Sequence, residues 1–564
     1  MNFINTDTSL FGTGAWRKGN GVITPASGKP NVLLCYPKTG MDFGSTIAPP
    51  HSLLTIAAPI LETGYSVAIL DQRDKPITRD VLNNLISSDL ICVGISTMTG
   101  TQIRNALGII NIVRELTDGS VPLVWGGPHP SVAPIETIED ENVDIVVIGE
   151  GEVPFLNLVK TLDAKTSLHD VPGIMFQDGS EIIKNDEPPL MDVEELLPVP
   201  WELINVERYV HRDMYLRDKT RVLDLGQTSR GCPFNCGFCS SASIRQRKWR
   251  DMSVDKALDM IERDVHRFNL DGIWLRDDEF YIKRKRAHAI FEGVVERDLN
   301  IGFYTSGTRA DVLNKAKPDE LKLMRRAGAH TLKIGAESGS QRILDLMQKG
   351  TTVEQTIEAN LKCKEYGFNP AYALMIGYPT ETFEEMDQTI DLAFRLRKDY
   401  SKAQTETIAQ YTAMPGTPDF HMAIMHGLKP PKNLREWADW LFDDYDFEGR
   451  RSPWFTKRER IYMGNISYSS ILSNAFENVS GTKGNWLTRP IRKAGASLVG
   501  RFYRWKLKNK IYRFAPELGL VRYLRQIMFY GKGANPFTTW AKYIGIHLDA
   551  DEQRQGIQAK GWSR

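Results

Sequence analysis

Short apolar runs rich in β-branched residues recur along most of this chain, each followed by a segment with helical spacing. That alternation restricts the possible folds more than any other feature. In the first series, from about Asn31 to Leu162, NVLLCYP precedes SLLTIAAPILETG, SVAILD precedes ITRDVLNNLI, and LICVGIS precedes TQIRNALGIINIVREL. PLVWGG then leads into a Pro-rich turn with a short helix, and DIVVIG into VPFLNLVKTL. Strands apolar on both faces need cover on both, and intervening helices supply it, so this series predicts a parallel doubly wound sheet. Ligands of such sheets sit in the crevice at the carboxyl ends of the strands.

A second series begins at RVLDLGQTS and ends near ETIAQYTAMPGTP, with strands LDLGQT, GIWLR, IGFYTS, TLKIGA, AYALMIG and TIAQYT. Six β/α units fall short of the eight in a full barrel and predict an open, TIM-like (β/α)6 barrel. The expected organisation is therefore α/β: an extension over 1–28, a Rossmann-like domain over 29–165, a linker over 166–215, the barrel over 216–430, and a mainly helical basic region over 431–564. The linker contains a small hairpin around QDGSE and the Pro-rich run DEPPLMDVEELLPVPW.

Composition excludes few function classes but narrows the chemistry. With 41% hydrophobic and 25% charged residues and a net charge of +1, the chain can bury an ordinary core and presents no global charge for a partner. The first residues lack the apolar centre of a signal peptide, and no apolar run reaches the roughly 20 residues needed to cross a bilayer, so the expected location is the cytoplasm. Of six cysteines, three fall within TSRGCPFNCGFCS. In a reducing compartment such a group points to metal, not disulfides. Cys35, Cys92 and Cys363 lie in apolar or helical contexts and read as packing residues.

Cys232, Cys236 and Cys239 follow a predicted strand directly and can converge from one loop. A four-iron cluster held by three cysteines keeps one iron without a protein ligand, which is the open arrangement of a catalytic metal site. The alternative is a structural zinc site or a chance grouping of cysteines. Zinc favours paired CxxC units with a fourth Cys or His at a set distance, and none stands near.

The run CPFNCGFC, with Phe238 as the aromatic before the last cysteine, resembles the CxxxCxΦC signature of radical S-adenosylmethionine enzymes. The resemblance implies a [4Fe-4S] cluster whose open iron is chelated by S-adenosylmethionine, and reductive cleavage of that molecule to methionine and a 5′-deoxyadenosyl radical. It also implies an external one-electron donor such as a flavodoxin or ferredoxin. Other strand ends are similar to the family's S-adenosylmethionine contacts: Asp278 and Glu279 after the second strand, Ser306 and Arg309 after the third, Glu337 and Ser338 after the fourth, and Ile376, Gly377 and Tyr378 after the fifth. For each residue the plainer reading is a helix cap or a loop salt bridge.

An α/β domain ahead of such a barrel resembles the cobalamin-binding subclass. Ser96-Thr97-Met98 and Gly126-Gly127 match the last two parts of its three-part motif, with Met98 in place of Leu and 27 residues between Met98 and Gly126. Counting back by the family's gap places His51 at the axial histidine, where Pro49 replaces the motif's Asp and Leu54 its Gly. A metal-bound histidine needs an orienting carboxylate or carbonyl, and that partner is missing from the motif. The other reading of His51 is a polar residue opening a helix. GGPHPS with His129, and GEGEVPF with Gly149, Glu150, Gly151 and Glu152, resemble turns of the subclass. Glu150 and Glu152 also suit a helix N-terminus, and the whole domain could be a flavodoxin-like fold without ligand.

Between Gly481 and Lys532 there are thirteen Lys or Arg residues and one acid, Glu517, interleaved with Trp, Tyr and Phe. This pattern suits a peripheral contact of residues 481–532 with an anionic membrane, a solvated helical face, or, less favoured, nucleic acid. The function expected from the resemblance is cobalamin-dependent methylation of an unactivated carbon in a small-molecule or lipid-like substrate. The alternatives are an oxidative cyclisation or ring rearrangement without net methyl transfer, and a non-catalytic cobalamin or iron–sulfur sensor.

Overall fold

Both alternating series fold as their patterns require. The structure is a computed structural model that describes residues 16–19, 22–25, 28–39, 48–210, 216, 218–440, 450–478 and 488–518. A hairpin of β1 (Trp16–Gly19) and β2 (Val22–Pro25) precedes the first sheet. That sheet contains β3 (Val32–Tyr36), β4 (Val67–Asp71), β5 (Cys92–Ser96), β6 (Leu123–Gly126), β7 (Ile145–Val147), β8 (Ile174–Asp178) and β9 (Glu181–Lys184). Its order is β4-β3-β5-β6-β7-β8-β9. The strands from β4 to β7 pair in parallel, and β4, β5 and β7 are buried along their whole length, as continuous apolar runs demand. The hairpin around QDGSE, expected within a linker, adds β8 and β9 antiparallel to the sheet's edge.

The chain reverses direction across the sheet between β3 and β5, which creates a crevice at their carboxyl ends. The helix His51–Glu62 begins there.

The second sheet is wholly parallel, with the order β10 (Val222–Gly226), β13 (Gly272–Leu275), β14 (Gly302–Thr308), β15 (Ala329–Glu337), β16 (Asn369–Ile376) and β17 (Gln404–Gln410). It is the expected open six-unit barrel. Two-residue strands β11 (Ser229–Arg230) and β12 (Arg250–Asp251) pair antiparallel and close the base of the loop that carries the cysteines. Helices between the strands follow from their sequences. In Val254–Phe268 the Ser253 hydroxyl caps the N-terminus, and Ala257, Leu258, Ile261 and Val265 turn one apolar face to the sheet. Thr352 and Thr382 close capping boxes on the helices Val353–Tyr366 and Phe383–Asp399.

Edge strand β17 is covered by the helix Lys457–Asn478. Ser470 Oγ accepts from the Ile408 N–H at 2.9 Å, and Asn474 Nδ2 donates to the Thr405 carbonyl at 2.9 Å. Side chains thus satisfy backbone groups that an open sheet edge would leave to solvent or to another chain. The helix Thr488–Lys508 packs on this cover. Residues 481–487 and 519–532 of the basic stretch lie outside the described residues. Among the described residues no helix is long and apolar enough to cross a membrane.

Candidate active site

The cysteine loop leaves β11 through Gly231, whose φ of +85° and whose approach to the Lys248 carbonyl leave no room for a side chain; a Cβ would sit 2.2 Å from that oxygen. The Gly231 N–H donates to Asp278 Oδ2 at 2.8 Å. Further along, the Gly237 N–H donates to the Met347 carbonyl at 2.8 Å, and the Asp419 N–H donates to the Gly237 carbonyl at 3.0 Å. The loop is therefore hung between groups from distant barrel segments, and a Cβ on Gly237 would lie 2.2 Å from Asp419 Oδ1.

Cys236 is buried, while Cys232 and Cys239 are partly accessible. Burial pushes the Cys232 thiol up to about 11 and raises that of Cys239, so in the free protein both are protonated and metal binding must displace their protons. Two buried cations flank the loop. The Arg309 guanidinium stacks on Phe234 at 3.7 Å from the ring centre, and its Nη1 lies 3.8 Å from Cys236 Sγ. Lys349 Nζ lies 5.7 Å from the centre of the Phe238 ring and pairs with Glu337 at 2.8 Å. Among the described residues, no three His, Cys, Asp or Glu side chains converge on a point where one ion could be held. The three thiols beside fixed positive charge suit an anionic cluster whose irons each take one thiolate.

The other strand-end residues divide into two groups. Asp278 and Arg309 support the cysteine loop, and Glu337, held at φ +60° in β15, anchors Lys349. Glu279 is buried, and that burial pushes its carboxyl up to about 7. Ser306, Ser338 and the turn at Ile376–Tyr378 have partners within the protein. Ser306 Oγ donates to the Leu275 carbonyl at 3.1 Å, and Ser338 Oγ shares a hydrogen bond with Thr389 at 3.2 Å. Glu381 Oε2 accepts from the N–H groups of Gly377 and Tyr378 at 2.5 and 3.0 Å, while Trp454 Nε1 donates to the Gly377 carbonyl. Burial pushes Glu381 up to about 8.

A cavity of about 1080 Å³ lies between the two sheets. From the first domain it is lined by Ser96, Gly126, Gly127, Ser131 and Gly149 at the carboxyl ends of β5, β6 and β7, together with His51. From the barrel it is lined by Gln227, Arg230, Ser240, Ser241 and Asp278, which surround the cysteine loop. This volume exceeds the usual range for drug-sized ligands, roughly 300–1,000 Å³. Small residues along the first wall keep it open, as a bulky macrocycle with a nucleotide tail requires.

Several sequence-predicted residues take other positions. Thr97 is buried, Met98 donates its N–H to Gln102, and neither lines the cavity. His129 is fully buried behind it, bonded to Thr99 Oγ1 at 3.0 Å and packed on Trp437; burial lowers its imidazole to about 3. Glu150 and Glu152 reach the cavity wall with their carboxylates engaged by the barrel. Arg230 pairs with Glu152 at 2.6 Å, Arg250 with Glu150 at 2.7 Å, and Arg245 with Glu150 as well. His51 does open a helix. Its Nε2 also lies 3.2 Å from Asp224 Oδ1 of the first barrel strand, which ties the imidazole to the other domain.

Comparison with known proteins agrees with this geometry. Residues 227–393 match the Radical SAM superfamily and residues 45–159 match the B12 binding domain. An uncharacterized methyltransferase of Pyrococcus horikoshii is 31% identical over 415 residues, spanning 72% of this chain and 86% of that protein. The chain belongs to the cobalamin-binding radical S-adenosylmethionine enzymes. Its cofactors are a [4Fe-4S] cluster, S-adenosylmethionine and cobalamin. The anaerobic magnesium-protoporphyrin IX monomethyl ester cyclase of Rubrivivax gelatinosus is 29% identical over 358 residues, which covers 61% of this chain and 62% of the cyclase. The fold is shared with the cobalamin-dependent S-adenosylmethionine radical enzyme OxsB solved with aqua-cobalamin, with a TM-score of 0.67 at 21% identity over 94% of this chain and 81% of that one.

The sequence reading of this radical enzyme missed Arg230, Arg245, Arg250, Asp224, Lys349 and Asp419. Arg230 had a signal, since it stands two residues before Cys232. The others acquire their roles only by contact with residues far away in sequence.

Proposed function

We propose that this enzyme transfers a methyl group to an unactivated carbon of a small-molecule or lipid-like substrate. The observation that carries the reading is a cavity shared by the glycine-lined sheet ends of one domain and residues flanking the cysteine loop of the other. When bound, the cluster with S-adenosylmethionine supplies a 5′-deoxyadenosyl radical and cobalamin supplies the methyl group. Cys232, Cys236 and Cys239 hold the cluster, and Arg309 and Lys349 offset its negative charge. Ser96, Gly126, Gly127 and Gly149 line the space for cobalamin, where their small size permits close backbone approach. Asp278 fixes the entry to the cysteine loop through Gly231. Glu150 and Glu152 fix the cavity's two walls to each other through the barrel arginines, which excludes water from the contact between them. The six free cysteines fit a reducing cytoplasm, and the electron comes from an external one-electron donor protein.

The test is anaerobic reconstitution with iron, sulfide and cobalamin, followed by incubation with S-adenosylmethionine carrying a deuterated methyl group and an extract of host metabolites. Deoxyadenosine together with deuterated methyl in a new product supports the reading. Deoxyadenosine with a product that has lost hydrogen and gained no label favours the second reading, an oxidative cyclisation, for which the similarity to the Rubrivivax cyclase speaks. Absence of deoxyadenosine under reducing conditions sinks both and leaves a sensor. Cys236→Ala is expected to abolish the cluster's visible absorbance and deoxyadenosine formation together.

A further inference from the structure

The helix Thr488–Lys508 has two apolar faces, and the barrel's cover uses only one. Tyr503 and Leu507 point inward and are 8% and 3% exposed, packed with Tyr468, Leu472 and the main core. On the opposite side Leu498, Phe502 and Trp505, spaced i, i+4 and i+7, are 66%, 47% and 53% exposed. The Phe502 and Trp505 rings stack with centroids 6.2 Å apart. Scattered exposed apolar residues are ordinary, but three large ones in a row along one helix face are not.

Charge decides what covers them. Between Thr488 and Arg513 the sequence has nine Lys or Arg residues and no Asp or Glu. Some of these serve the protein itself, as Lys506 does by pairing with Glu517. Arg501 and Lys508 remain exposed along the flank of the apolar row. We propose that this face docks on the surface of an anionic lipid bilayer, with Leu498, Phe502 and Trp505 entering the acyl boundary while Arg501 and Lys508 meet the headgroups. Trp and Phe favour that boundary, and basic residues near an anionic leaflet add to binding additively until salt screens them. Nucleic acid would use the arginines and the aromatic rings but gains nothing from Leu498 or the exposed Val499 beside it. Among the described residues no helix can span the bilayer, so the contact lies in the plane of the surface.

The experiment is co-sedimentation of the full chain with vesicles of phosphatidylcholine containing phosphatidylglycerol, and with phosphatidylcholine alone, at low and high salt. Binding is expected for the anionic vesicles, weakening as salt rises. Leu498→Ser/Phe502→Ser/Trp505→Ser and Arg501→Glu/Lys508→Glu are each expected to weaken it at least tenfold, with unchanged circular dichroism. Should the triple variant misfold, Trp505→Ala alone is expected to bind measurably less tightly. Equal binding to neutral vesicles overturns the proposal, as does binding that survives the apolar substitutions. So would single-stranded RNA bound through Arg501 and Lys508 in the absence of vesicle binding, or a dimer broken by the triple variant without any vesicle binding.

Discussion

Replacing Glu150 by Gln tests how firmly the two domains are held together. Burial raises the carboxyl's pKa, but the hydrogen bond from Arg250 and the charges of Arg245 and Arg230 outweigh it, leaving the group at about 2 instead of 4.5. At roughly 1.36 kcal/mol per unit, that difference corresponds to about 3 kcal/mol favouring the assembled state at neutral pH. Arg245 and Arg250 retain side-chain exposures of 21% and 16% and recover some hydration when the charge is lost. A net loss of about 2 kcal/mol is therefore expected from Glu150→Gln, below the roughly 3–5 kcal/mol of a fully buried pair because the arginines stay partly hydrated. For a domain of roughly 150–250 residues this is a fall of about 4–8 °C in Tm, measured by calorimetry on the apoprotein at pH 7.5. Because the folded pKa is depressed, the contribution is fully present above pH 4.5 and is lost as pH falls toward 2. The gap in Tm between wild type and variant should stay constant from pH 8 to pH 6 and narrow only below about 4.5. A shift under about 1 °C, or a gap that changes between pH 8 and pH 6, would refute the assignment of this stability to the Glu150 carboxylate.

Gly237→Ala forces a Cβ to within 2.2 Å of Asp419 Oδ1 and is expected to cost about 1–3 kcal/mol. Its iron content after reconstitution should fall, and Asp419→Ala in the same chain should restore part of it; strictly additive losses would show that the two residues are independent. Arg309→Met removes a positive charge 3.8 Å from Cys236 Sγ, so the cluster's midpoint potential should drop, by roughly 59 mV for each tenfold loss in relative affinity for the electron. An unchanged or raised potential in a redox titration contradicts the role given to Arg309. His51→Ala should bind cobalamin within a few-fold of wild type in an anaerobic titration, because His51 Nε2 is already engaged by Asp224. A loss beyond about a hundredfold, the upper end expected for disturbing a ligand's supporting group, would mean that the ring turns to the metal.

Much of this enzyme could be read without its structure. Strand and helix patterns were sufficient for both sheets because apolar runs buried on two faces leave few topologies once helices separate them. The cysteine motif needed only local spacing, since all three cysteines lie in one loop. Glu150 and Glu152 were visible as acids at a helix start, but whether they face a ligand, a dipole or another domain depends on what packs there. His129 looked like a cavity residue from its glycine-rich turn, yet the chain carries it behind the wall against Trp437.

Local order thus specified which cysteines come together in one loop and which segments become strands, because hydrogen bonding and burial within a few residues fix those outcomes. Only the tertiary structure decided the partners of His51, Glu150, Arg309 and Gly237, which lie 73 to 182 residues away: Asp224 for His51, Arg250 for Glu150, Cys236 for Arg309 and Asp419 for Gly237. Side-chain charge and reach set what each could bind, but the packing of one domain on the other set which groups came within bonding distance, and a short-range force has no expression in sequence separation.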